Sequence, residues 1–260
     1  MKYKEIVDQH YTKEAKNTGL SKLSTMRDLF IRNLETESIL KILDKHKNNK
    51  VSILDAGCGN GYTLSLVSKK FKNFKLTGFE KNKELFRLSI KRKSRKITFY
   101  NMDILSLNKD FIKKFNVIIV QRVLINLLNK KDQIKALKNL RKYLKSNGYI
   151  IFIECFNEGL KNLNNLRKKF NLKAIKPAYH NRYLDKNFFK NQKLTLVKYK
   201  IVDQINNKFS NHFLTSRVID PIRIGGNKFK RNSKFVKIFD NVILKVNLDY
   251  SHLKINVLKN

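Results

Sequence analysis

Three glycines at alternate positions, Gly57, Gly59 and Gly61, follow a short apolar run that ends in an acidic residue; residues 51–63 read VSILDAGCGNGYT. Glycine has no Cβ, so it takes φ > 0 and lets main-chain N–H groups approach a ligand that a side chain would block. A buried strand delivering this loop makes a binding surface out of backbone. The spacing narrows the ligand. The dinucleotide pattern G-x-G-x-x-G requires glycine or alanine where Tyr62 stands, which disfavours NAD and FAD. The phosphate pattern G-x-x-x-x-G-K-[ST] requires Lys-Ser or Lys-Thr after the last glycine, which disfavours a nucleoside triphosphate.

A second carboxylate, Glu80, closes the next apolar run, 23 residues after Gly57. At the carboxyl end of a parallel strand such a group can accept hydrogen bonds from both hydroxyls of a ribose. The loop Asp55-Ala56-Gly57-Cys58-Gly59-Asn60-Gly61 resembles the E/D-x-G-x-G-x-G motif of the class I S-adenosylmethionine-dependent methyltransferases. That resemblance implies S-adenosyl-L-methionine as cofactor, held by Asp55, Gly57, Cys58, Gly59, Asn60, Gly61 and Lys81, with Glu80 at the ribose. It also implies that Asp103 accepts from the adenine amino group while Met102 and Ile104 sandwich the ring, and that Gln121 reaches the aminocarboxylate. The resemblance covers roughly residues 25–200; related methyltransferases with similar Ser-Thr-Met-Arg-Asp and His-Asn-x-Tyr segments often belong to polysaccharide or small-metabolite pathways.

The cofactor's methyl group is already activated, so the enzyme has to align a nucleophile and exclude water. A hydroxyl or a charged amine also needs a base. The candidates are His180, in Ala178-Tyr179-His180-Asn181-Arg182-Tyr183, and Glu154 at the end of the fifth apolar run. Candidate acceptor contacts are Tyr11, Arg27, Arg122, Tyr179, Asn181, Arg182 and Tyr183. The other histidines, His10, His46, His212 and His252, have no metal-ligand spacing, so a metal-free mechanism is expected.

These residues require a scaffold of alternating strands and helices, the pattern of a parallel sheet covered on both faces. Strands are predicted over 51–54, 75–79, 97–100, 116–120, 149–153, 194–202 and 253–258, the seven of this methyltransferase fold, whose last strand inserts antiparallel beside the fifth. The fold class is therefore α/β: a Rossmann-like three-layer sandwich with helical cap insertions. Helices are predicted over 62–72, 82–93 and 130–145, the last with Gly148 as its C′ residue. Upstream, Thr25-x-x-Asp28 has the form of a capping box opening a helix. The expected organisation is one domain: an N-terminal helical lid (1–48), a cofactor core (49–155) and cap segments at 156–192 and 203–251, the latter with helical material at 209–222 and 235–244.

With 260 residues, 42% of them hydrophobic, the chain can bury a real core. Its N-terminus lacks an apolar signal region and no apolar run approaches a bilayer span, so no transmembrane segment and a cytoplasmic protein are expected. Two cysteines, Cys58 and Cys155, support neither a disulfide framework nor a zinc site. The formal charge of +37 would attract phosphates. The excess of lysine and asparagine reads as AT-rich codon bias, but only 20 acidic residues against 57 basic ones exceeds what codon bias alone explains. Segment 164–200 holds eleven Lys or Arg against one acid, Asp185. A small-molecule or sugar acceptor is the first expectation. RNA drawn to the basic surface and lipid at an anionic membrane stay open. Against nucleic acid, residues 121–124 read QRVL rather than the N/D-P-P-Y/F used for base amines, and no Pro-Cys nucleophile occurs.

Overall fold

The computed structural model describes residues 3–106, 114–239 and 249–259. Two helices precede the sheet, α1 (Tyr3–Thr18) and α2 (Leu29–Leu43). Alternating units follow: β1 (Ser52–Ala56), α3 (Tyr62–Lys70), β2 (Lys75–Glu80), α4 (Lys83–Ile90), β3 (Ile97–Asn101), β4 (Phe115–Gln121), α5 (Lys130–Lys142) and β5 (Leu144–Cys155). The last part comprises α6 (Asn157–Lys169), β6 (Thr195–Leu196), α7 (Lys200–Leu214), α8 (Asp220–Arg223), α9 (Lys234–Phe239) and β7 (Leu253–Lys259).

The strands form one seven-stranded sheet in the order β3-β2-β1-β4-β5-β7-β6. The pairs from β3 through β5 are parallel, while β7 runs antiparallel to both β5 and β6. The predicted fold and its reversed last strand are thus found. The central strands carry apolar residues on both faces, as a sheet covered on both sides demands: Ile53, Leu54, Val117, Ile118, Ile119, Val120, Ile150, Ile151, Phe152 and Ile153 are all buried. The order reverses direction between β1 and β4, where the carboxyl ends diverge and leave a crevice. The glycine loop leaves β1 at that point.

Several local expectations differ from the structure. The helix after residue 24 begins at Leu29, and its N-cap is Asp28, whose Oδ1 accepts from Ile31 N at 3.3 Å. Thr25 is left free to meet the Arg122 guanidinium instead. Gly148 ends no helix; it lies inside β5, where a Cβ would stand 2.9 Å from the Asn116 carbonyl. Of the strand predicted over 194–202 only Thr195–Leu196 pairs, and Lys200–Leu214 is helix. Val202, Ile205 and Phe209 recur at helical spacing and are buried together.

The insertion between β6 and β7 runs through α7, a π-helical stretch at Thr215–Ile219, α8 and α9. The expectation over 235–244 is described as far as Phe239; 240–244 lie outside the described residues. This insertion is tied to the start of α2. Asp28 Oδ2 meets His212 Nε2 at 3.0 Å and Arg217 at 3.2 Å, and all three side chains are buried. Among the described residues no helix is long and apolar enough to cross a membrane.

Candidate active site

The three loop glycines take φ of +73°, +56° and +75°. Gly57 N and Cys58 N both donate to the Phe79 carbonyl, at 2.8 and 2.9 Å, which folds the loop back over β2. A Cβ on Gly57 would stand 2.6 Å from Val123 Cγ2, so closeness to the loop after β4, as well as the left-handed backbone, requires glycine there. Gly61 serves a different purpose from the one expected. It is the N-cap of α3, a Cβ there would meet the Phe99 ring at 2.8 Å, and it does not line the cavity.

That cavity, about 1040 Å³ including its open mouth, lies over the carboxyl ends of β1, β2 and β4. Glu80 stands in its wall. Its Oε2 accepts from Gly59 N and its Oε1 from Asn82 N, both at 2.9 Å. Each oxygen keeps a second lone pair for a hydroxyl. Burial raises the Glu80 pKa, while the N–H groups of Asn82, Gly59 and Lys81 oppose the rise. Asp103 accepts from Leu105 N at 2.9 Å and pairs with Lys81 Nζ at 3.0 Å. Met102 and Ile104 line the cavity on either side of it. Across the cavity, Gln121 accepts from Thr63 Oγ1 at 2.8 Å, and its Nε2 is buried with no partner.

An acidic wall at β2, an acidic residue with apolar neighbours after β3, a bare-backbone loop and an orphaned amide donor suit the ribose, adenine and aminocarboxylate of one extended nucleoside. Residues 47–210, more than half of the chain, match the family model described as a methyltransferase domain. The chain belongs to the class I S-adenosylmethionine-dependent methyltransferases. The methyltransferase fold is similar to that of the N-methyltransferase NodS from Bradyrhizobium japonicum WM9, solved with S-adenosyl-L-homocysteine (19% identity, 74% of this chain and 88% of that one, TM-score 0.54). It is similar also to the plantazolicin methyltransferase BpumL, solved with the same product (18% identity, 100% of both chains, TM-score 0.54). The match to the sugar N-methyltransferase KedS8 from Streptoalloteichus sp ATCC 53650 spans about half of each chain (16% identity, 49% and 52%, TM-score 0.40). No curated protein matches the sequence.

The methyltransferase cavity is roofed by α1, which lies within the N-terminal segment expected as a lid and carries the expected acceptor contact Tyr11. Tyr3, Lys4, Val7, Asp8 and Tyr11 of α1 line it, pinned by Asn82 Nδ2, which donates to Asp8 Oδ1 at 2.9 Å and Thr12 Oγ1 at 2.8 Å. The signal was present: Tyr3, Val7 and Tyr11 recur every fourth residue, one face of a helix, amid charged neighbours. Arg32 of α2 also lines the cavity, reaching Thr63 Oγ1 at 3.4 Å. Arg122 lines it as well, a non-glycine residue at φ +53° whose buried guanidinium bonds Glu35.

The remaining predicted residues lie elsewhere. Asp55 is buried behind the loop, outside the cavity lining, with neither oxygen partnered; burial pushes its pKa up to about 7 against the pull of Arg32. Glu154 is fully buried and also outside the lining. Its oxygens accept from Val123 N at 2.8 Å, Leu124 N at 2.9 Å and Ile125 N at 3.2 Å, so it organises the loop after β4 instead of facing a substrate. Arg27 is exposed and pairs with Glu14 at 2.5 Å. None of Tyr179, His180, Asn181, Arg182 or Tyr183 lines the cavity. His180 stacks on His10 at 3.7 Å and stands edge-on to Tyr11, while Tyr179 Oη meets His10 Nδ1 at 3.1 Å. Arg182 N donates to Ile125 O at 2.7 Å, and Tyr183 stacks on His252. This segment braces α1 and the loop after β4 from outside. Burial and the adjacent His10 hold the His180 pKa down at about 4. Among the described residues, no group of three or more His, Cys, Asp or Glu is placed to hold a metal ion.

Proposed function

We propose that this methyltransferase acts on a small polar molecule or sugar, taken into the cavity between α1 and the loop after β4. The observation that carries the reading is the roof. With α1 laid across the strand ends, the acceptor space is bounded by Tyr11, Arg122, Val123, Asn126 and Leu127, an enclosure suited to a small polar molecule. Glu80 would hold the ribose, Asp103 with Met102 and Ile104 the adenine, and Gln121 with Arg32 the aminocarboxylate. S-Adenosylmethionine supplies an activated methyl carbon, which leaves its sulfur with the bonding electrons staying on sulfur and joins a nucleophile's lone pair. The protein's own part is to orient both reactants and keep water out.

We read the chain as a single domain in which 1–48 is the lid, 49–155 the cofactor core, and 156–192 and 203–251 the cap. The net charge of +37 supports a second reading, an RNA acceptor. Transfer from methyl-labelled S-adenosylmethionine to amino sugars, hydroxylated sugars, total RNA and anionic vesicles distinguishes them. Label entering the small molecules is the expected result. Label entering RNA, abolished by Lys→Glu changes within 164–200 while cofactor affinity holds, would overturn it.

A further inference from the structure

Arg92 stands just past α4 in the basic run Lys91-Arg92-Lys93-Ser94-Arg95-Lys96 and does not line the cavity. Its guanidinium joins three segments. Nε donates to the Asn60 carbonyl in the glycine loop at 3.1 Å, Nη1 to Ser65 Oγ in the first turn of α3 at 3.4 Å, and Nη2 to the Leu20 carbonyl at 2.7 Å, in the turn after α1. The same group lies 5.7 Å from the centre of the Tyr62 ring. Asn60, itself buried, completes the set: its Nδ2 donates to the carbonyls of Gly19 at 3.0 Å and Ser21 at 2.9 Å, while its Oδ1 accepts from Tyr62 N at 3.2 Å. Three successive carbonyls, at residues 19, 20 and 21, are thus held by Asn60 of the cofactor loop and by the arginine bonded to it. Leu20 is 41% exposed, and at the surface water satisfies a carbonyl readily. Capture of all three by protein donors therefore fixes where the turn sits.

Resting on the reading of 1–48 as a lid over an S-adenosylmethionine site, we infer that Arg92 is a positioning residue that couples the glycine loop to the roof. The turn at 19–21 ends α1, and α1 carries Tyr11 over the acceptor space. A loop ordered around the cofactor presents the Asn60 carbonyl to Arg92 and the Asn60 amide to the turn; the turn so held keeps α1 across the strand ends. Coupling of this kind is reciprocal, so a roof held down also favours the loop conformation that binds the cofactor. Arginine suits the task because its planar fork offers donors in three directions at once, whereas lysine carries a single ammonium on a flexible stem. Arg92 touches neither reactant. It acts through Asn60 and through α1.

Amide hydrogen exchange of the full chain, with and without saturating S-adenosyl-L-homocysteine, tests this. Residues 14–24 line no part of the cavity, so slower exchange there reports the coupling and not direct contact with the ligand. In the wild type the ligand is expected to slow their exchange by about tenfold. Arg92→Met keeps the aliphatic stem beside Tyr62 and removes every donor; it is expected to reduce that slowing to under about threefold and to weaken calorimetric S-adenosyl-L-homocysteine affinity by about tenfold, with exchange across α6 unchanged. Arg92→Lys, which keeps the charge and can still reach the Leu20 carbonyl, is expected to fall between the two, and it serves as the test if melting shows Arg92→Met unfolded. Binding without slowing at 14–24 in the wild type, or slowing that survives Arg92→Met, overturns the inference and leaves the cofactor site standing. Faster exchange that spreads equally into α6 also overturns it, since Arg92 then serves the fold alone. Failure of S-adenosyl-L-homocysteine to bind the wild type removes the cofactor reading as well.

Discussion

Glu80 holds the fold together at the place where we propose that it also holds the cofactor's ribose. Its two oxygens hold Gly59 N and Asn82 N, so it ties the glycine loop to the start of α4 before any cofactor arrives. In that role Glu80→Ala would delete a charged acceptor for two hydroxyls, each such bond being worth about 1.5–3 kcal/mol. Calorimetry with S-adenosylmethionine is expected to show affinity falling on the order of 100-fold or more, at most a modest loss of melting temperature, and Asp103→Ala weakening binding as well. Unchanged affinity in Glu80→Ala would remove it from the ribose role. At this scale the sequence was legible where a residue's position at a strand end fixes what it faces, as with Glu80, Asp103 and Gln121. It was not legible where only direction separates two functions. Glu154 ends a strand in the same way, yet its carboxylate turns inward to three backbone N–H groups.

Among the elements, α2 carries the insertion's weight at its first turn. Asp28 caps the helix through one oxygen and binds His212 and Arg217 through the other. An N-cap is worth about 0.5–2 kcal/mol, and leaving a buried guanidinium without its carboxylate costs about 3–5 kcal/mol. Asp28→Ala is therefore expected to lower unfolding stability by on the order of 4 kcal/mol in urea titrations, and Asp28→Asn by less, since an amide still caps. A loss under about 1 kcal/mol would mean the network contributes nothing beyond the cap. The sequence pattern Thr25-x-x-Asp28 placed this helix correctly but assigned the cap to the wrong residue. Either side chain can cap, and the choice fell to Asp28 because its partners come from α7 and the π-helical stretch, some 185 residues away.

Across the whole molecule, buried titratable groups set opposing pH trends. Asp55 and Glu154 have folded pKa values pushed up to about 7, chiefly by burial. Raised carboxyl pKa values contribute stability that is complete below the unfolded values near 4 and lost as pH rises through 7. His252 and His180, lowered to about 3 and about 4 by burial, work the other way: their contribution is present above the unfolded value near 6.5 and lost as pH falls through the folded ones. Stability is expected to peak between these limbs, near pH 6. Urea midpoints of Asp55→Asn should gain on the wild type between pH 5 and 8, and those of His252→Phe should gain on it below pH 6. Parallel profiles for Asp55→Asn and wild type would show that Asp55 is ionised in the fold.

By itself the sequence determined the sheet, the cofactor loop and the residue types at successive strand ends. Those depend on short-range spacing: apolar runs of strand length, glycines that relieve a left-handed backbone, and acids one step beyond a strand. Only the tertiary structure decided which groups share the acceptor space. The loop at 179–183 looked like an acceptor pocket because it concentrates His, Asn, Arg and Tyr, but folding sets it behind α1, with His180 stacked on His10. Asn126 lay unremarked between Ile125 and Leu127, and only the fold brings its Nδ2 to Tyr11 Oη, 115 positions earlier in the chain. Hydrogen-bond satisfaction is a property of neighbours in space, so an oxygen left without a partner appears only once every element has been packed around it.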